Sequence, residues 1–181
     1  MANADTPHGF NATGVMYGLN QYAVDNTSGS TAIFKGDLLS MMSTGLVTSV
    51  PNGTHHIGAA ESVVSPSTAA KSLVASGTTA TVLSHYHPSQ QYYAQDDGQA
   101  IGLQSTIGNN CDITAGAGST ATGISAHELD ATNFATANTA TAALVCRIHG
   151  LLQKEDNAFG ANAEWVVSIN EHYLTAGTAG I

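Results

Sequence analysis

The apolar positions of this chain fall in short alternating runs separated by turn formers. The clearest two lie near the C-terminal end. In ALVCRIHGLL (143–152), Leu144, Cys146 and Ile148 share one face of an extended strand, and Val145, Arg147 and His149 share the other. In EWVVSINEH (164–172), Trp165, Val167 and Ile169 alternate with Glu164, Val166, Ser168 and Asn170. Trp165, Val167 and Ile169 are therefore predicted to anchor a core. QKEDNAFGANA (153–163) joins these runs and is too long for a tight hairpin, so it is expected to project as a loop.

Upstream, strand-like patches recur. They are QYAV (21–24), TAIF (31–34), LLSMM (38–42), GLVTSV (45–50), IGAAESVV (57–64), TATVLSHYH (79–87) and QQYYAQDDG (90–98). Turn formers punctuate them: DNTSGS (25–30), Pro51-Asn52-Gly53, Pro66, Pro88 and Asp97-Gly98. Short strands at this spacing predict a mainly β, single-domain fold, either a β-sandwich or jelly roll or a small β-barrel. Residues 108–143 are mostly Gly, Ala, Ser and Thr and are expected to run as long extended loops. Ser125 with Glu128 has capping-box spacing and predicts one helical turn there. The chain divides into an N-terminal arm (1–16), a β domain (17–175) and a C-terminal tail (176–181).

Composition narrows the classes of function. Charged residues make up 9% of the 181 residues, against about 25% in ordinary domains. Ser, Thr, Asn and Gln supply the polarity instead, which suits exposed strands and packed protein interfaces. The formal net charge is −9, and Lys35, Lys71, Arg147 and Lys154 are scattered. Nucleic acid is therefore not an expected partner, because phosphate binding needs clustered cations. No apolar run approaches the ~18 residues that a membrane helix requires, so no membrane is expected either. The start MANADTPHGF has neither the basic nor the apolar region of a secretory signal. Cys111 and Cys146 are read as reduced, small apolar side chains.

Candidate chemistry is sparse. His55-His56 and His85-Tyr86-His87 are the dense histidine groups, but no further ligand stands at a diagnostic spacing, so no metal is expected. GISAH (123–127) resembles a nucleophile elbow, yet His127 stands where Gly is required. AGAGSTATG (115–123) has the glycine spacing of a phosphate loop, with Ile124 where the phosphate-binding Lys belongs. Asp96-Asp97 and Glu155-Asp156 are read as solvated turn carboxylates. Neither a catalytic residue nor a cofactor is assigned. Exposed Tyr86, Tyr92 and Tyr93 would suit a glycan-binding module, and His85 or His127 a hydrolase.

Several stretches together look familiar. TAIFKGDLL (31–39), IGAAESVV (57–64), YYAQDDG (92–98), AGAGSTATGISAHELD (115–130) and LVCRIHGLLQKEDNAFGANAEWVVSINEH (144–172) occur in this order, after an opening MANADTP and Gly9-Phe10. The set resembles the head decoration, or cement, proteins of tailed bacteriophages. The most specific part is Asp156-Asn157, Gly160, Asn162-Ala163, Trp165, Ile169-Asn170 and His172. The resemblance implies a non-enzymatic virion protein, made in the host cytoplasm and placed on the outer capsid surface. There it would bridge copies of the major capsid protein as a homo-oligomer, a trimer before a dimer. A tail, head-fibre or receptor-binding component is the alternative. Phe10, Asp156, Asn157, Phe159 and Asn162 are the expected interaction residues, with Phe159 either folding back over the core edge or anchoring a partner pocket. Ala59, Ala60 and Glu61 depart from the bulkier run of the family, which implies either that this strand is not buried or that it is an edge strand.

Overall fold

Alternation in the sequence becomes two antiparallel sheets. The structure, a computed structural model, describes residues 3–25, 32–49, 55–64, 73–74, 79–99, 104–134, 143–175 and 177. The turns expected at 26–30 and 51–53, Pro66, and the C-terminal tail except residue 177 lie outside the described residues. The strands are β1 (Asn11–Thr13), β2 (Leu19–Ala23), β3 (Ile33–Phe34), β4 (Leu38–Met41), β5 (Val47–Thr48), β6 (His56–Val64) and β7 (Leu73–Val74), followed by β8 (Thr81–His85), β9 (Gln91–Gln95), β10 (Asn110–Cys111), β11 (Ile113–Thr114), β12 (Glu128–Leu129), β13 (Cys146–Leu151) and β14 (Glu164–Ile169).

One five-stranded sheet has the order β1-β9-β14-β13-β10 and the other β2-β8-β6-β4-β5; β11-β12 and β3-β7 form two-stranded ribbons. Neither large sheet closes on itself, so the fold is a β-sandwich and not a barrel. The side chains predicted to anchor the core do so. Trp165, Val167 and Ile169 are buried, and so are Leu144, Cys146 and Ile148. Val145 was expected on the outer face but is also buried, because it precedes the strand and its carbonyl accepts the N–H groups of Asn170 and Glu171.

Two apolar clusters form, and the second sheet contributes to both. Leu38 and Ala59 join the first cluster with Trp165, Tyr92 and Ile148. Leu39, Ile57 and Ala60 join the second with Ile33, Val47 and Val82. This corrects the expectation for β6. The strand lies in the middle of its sheet, hydrogen-bonded to β8 and β4. Its alanines allow close packing on both faces and do not mark an edge. Gly58 has φ +149, and a Cβ there would come within 2.0 Å of the His85 carbonyl oxygen, so only glycine fits.

The N-terminal segment is not a separate arm over its described length. β1 pairs with the open edge of β9, Asn11 opposite Tyr93. Just before it, the Phe10 N–H donates to the Gly36 carbonyl at 2.8 Å. The expected helical turn at Ser125 is displaced as well. Residues 128–129 form β12, and a short 3-10 turn at Ala131–Asn133 is capped by Asp130, whose carboxylate accepts the Thr132 N–H. Ser125 instead accepts the His127 N–H at 3.0 Å, a local bond that competes with helix formation.

Candidate partner-binding loop

The β13–β14 connection, residues 152–163, is built by side-chain amides. Asn157 plugs its neck: Nδ2 donates to the carbonyls of Leu152 (2.9 Å) and Glu164 (2.8 Å), and Oδ1 accepts the Glu164 N–H (2.9 Å). Asn3 does the same at the tip, donating to Ala158 O and Ala161 O (both 2.9 Å) and accepting the Ala158 N–H (3.0 Å). Gln95 joins the two segments, donating to Ala4 O at 2.7 Å and to Asn162 O at 3.0 Å. A long loop of small residues is thereby ordered with few apolar contacts, because amide groups stand in for missing backbone partners.

Asp96 carries the other side of the loop. It is fully buried, and its two oxygens accept the N–H groups of Gly98 (3.1 Å), Asn162 (2.7 Å) and Ala163 (3.1 Å) and the Trp165 indole N–H (2.9 Å). Asp96 is thus not a solvated turn carboxylate. Burial pushes its carboxyl above the usual range, although these four donors act in the opposite direction. Asn162 sits at φ 56, a left-handed conformation that Asn tolerates better than most side chains. Beyond the buried tryptophan, Phe159 lies tilted at 49° with its ring centre 5.7 Å from that of Trp165, and is still 42% exposed. Phe134 covers Trp165 edge-on from within, at 5.6 Å.

The predicted interaction residues therefore separate. Asp156, Asn157 and Asn162 line one polar groove of about 190 Å³, together with Asn3, Gln95 and Lys154. Lys154 is held charged by a 2.6 Å bond to Glu164. Phe159 stands beside the groove as an apolar projection. Phe10 does not belong to this face. It is 2% exposed, with its ring edge-on to Tyr92 at 6.5 Å, because it follows the edge pairing of β1 into the first core. Asn3, Gln95 and Asp96 were missed from the sequence. Two signals pointed to Asp96: a buried indole N–H needs an acceptor, and Asp two residues before Gly is an Asx-turn pattern.

The other candidate chemistry is dispersed. His127 is buried; Nδ1 accepts the Leu38 N–H at 3.3 Å and Nε2 faces Asp37 at 3.5 Å, so neither nitrogen faces Ser125 as a base. His85 Nδ1 bonds Tyr17 O at 2.8 Å, His87 stacks on the Tyr17 ring at 4.0 Å, and His56 lies in the core beside Ser40. Among the described residues, no three His, Cys, Asp or Glu side chains converge as a cation site. Residues 115–119 lead into a turn and not into the helix a phosphate loop needs. Tyr92 is buried and Tyr93 half-buried, so of the three tyrosines only Tyr86 is exposed. No helix among the described residues is long and apolar enough to cross a membrane. Against protein-family models, curated proteins and solved structures, the chain finds no match.

Proposed function

We propose that this chain is a structural, non-enzymatic component of a tailed-phage virion that decorates the outer capsid. In this reading the 152–163 loop contacts the major capsid protein. One observation carries it: an aromatic ring is held 42% exposed on a loop fixed at its neck, tip and far side. A preordered loop avoids the ordering cost of about 1–2 kcal/mol per residue that a floppy one would meet on contact. An aromatic anchor beside a polar, amide-lined rim is the usual anatomy of a protein interface. The net charge of −9 favours a surface turned toward solvent and away from packaged DNA. The resemblance to decoration proteins supports the choice of partner, and a homotrimer is preferred over a dimer by analogy with such proteins.

The test adds purified protein to capsid shells that lack it. Saturable binding at symmetric positions and a higher shell melting temperature are expected. Phe159→Ala should weaken binding at least about tenfold while leaving the fold intact, as loss of an interface anchor does. Binding to tails and not to mature shells would remove the capsid assignment.

A further inference from the structure

Cys111 and Cys146 face each other directly across the β10–β13 ladder. Both are fully buried in the first apolar cluster, and both are free thiols. Residues opposed in an antiparallel pair have Cα atoms about 4.5–5.5 Å apart and project to the same face. A disulfide needs about 4.4–6.8 Å between Cα atoms. The ladder therefore sets the two cysteines in the Cα range that a disulfide spans, with no change of register.

We propose that this pair is a covalent lock, closed when the protein meets a small disulfide oxidant. With oxidised glutathione, one cysteine thiolate attacks the disulfide, forms a mixed disulfide and expels one glutathione. The second cysteine thiolate then attacks the cysteine sulfur of that mixed disulfide, forms the Sγ–Sγ bond and releases the second glutathione. The cysteines are oxidised by two electrons, and the two released glutathiones take up the two protons.

The position of the pair gives the bond its effect. It would close the excursion from 112 to 145, which carries β11, β12 and the 3-10 turn at Ala131–Asn133. It also fixes β10, a two-residue strand at the edge of its sheet. An edge this short opens at low free energy and admits the oxidant while the sandwich stays folded. Burial raises both thiols above their ordinary value, so the closed form reacts slowly and the opened form quickly. The lock does not depend on the capsid assignment.

The experiment oxidises the full chain with glutathione disulfide, with and without mild urea, and alkylates the remaining thiols. Glu-C then cuts after Glu128, between the two cysteines. The expected product has lost two hydrogens, carries no glutathione, and yields two fragments that separate only after reduction. It melts about 10 °C above the reduced form of the same chain, and dithiothreitol reverses the gain. Cys111→Ala should gain nothing. Glutathione adducts on both cysteines with no internal bond, thiols that stay alkylatable once urea has exposed them, or an oxidised form that melts at or below the reduced form would each overturn the proposal. The two oxidation states are compared in the unaltered chain, so the outcome does not hang on whether the variant folds.

Discussion

Replacing Asp96 with alanine removes the acceptor on which the loop and the tryptophan converge. Four donors lose their partner: the N–H groups of Gly98, Asn162 and Ala163, and the indole of Trp165. A buried donor left without a partner costs about 1–3 kcal/mol. Gly98 and Asn162 are partly exposed and regain water, which leaves two stranded donors, the Ala163 N–H and the Trp165 indole. Removing a buried carboxylate also removes its own desolvation penalty, which offsets part of that loss. The net destabilisation is about 3 kcal/mol, a large share of the ~5–15 kcal/mol that holds a typical domain. Urea unfolding at neutral pH measures it, followed by the fluorescence of the single tryptophan and by far-UV circular dichroism. Asp96→Asn keeps one acceptor oxygen but turns an NH₂ toward the remaining donors, and should lose about 2–3 kcal/mol. Trp165→Phe on each background, read by circular dichroism, should give a coupling of about 1–2 kcal/mol. A loss below about 1 kcal/mol for Asp96→Ala, with an unchanged urea slope, would refute the reasoning.

Two further outcomes follow from packing and charge. Burial, with the neighbouring carboxylates of Asp5, Asp97 and Asp96, pushes Glu128 up to about 7 from an ordinary 4.5. Between those values the folded chain holds a proton that the unfolded chain releases, so this group makes stability fall as pH rises from 4.5 to 7. His127, His149 and His172 are held below their ordinary value by burial and act in the opposite sense below pH 6.5, so the diagnostic is the difference between wild type and Glu128→Gln. That difference, read from urea midpoints, should change by about 1–2 kcal/mol across the window after allowance for solvent screening; parallel pH profiles would dismiss it. Ala60→Leu, at a 1% exposed position in the middle of a sheet, should destabilise by about 1–3 kcal/mol in thermal melts. Tolerance of that leucine would mean that β6 is not clamped on both faces.

Much of the sandwich was legible because half-buried strands write their faces into the sequence. Trp165, Val167 and Ile169 show this on β14, and Cys146 and Ile148 on β13. The signal failed where a strand is buried on both sides. His56 to Ala60 are all buried, so no exposed position marks alternation, and the small alanines looked like an exposed edge. The candidate loop was legible as a loop with one misplaced aromatic, Phe159. Its bracing was not, because Asn3 and Gln95 act across more than sixty positions of chain and no local spacing announces such partners. Phe10 was misassigned for a related reason. A glycine-flanked aromatic near a terminus reads as surface until the strand edge it completes is known.

The order β1-β9-β14-β13-β10 places the last strand among the described residues at the centre of its sheet. While the ribosome is still adding residues before 164, β9 and β13 have no strand between them, and the N-terminal strand has only half a sheet to join. Stable closure of this half therefore waits until residues 164–169 have emerged, and a chain cut short before Trp165 leaves two unpaired strand edges open to aggregation.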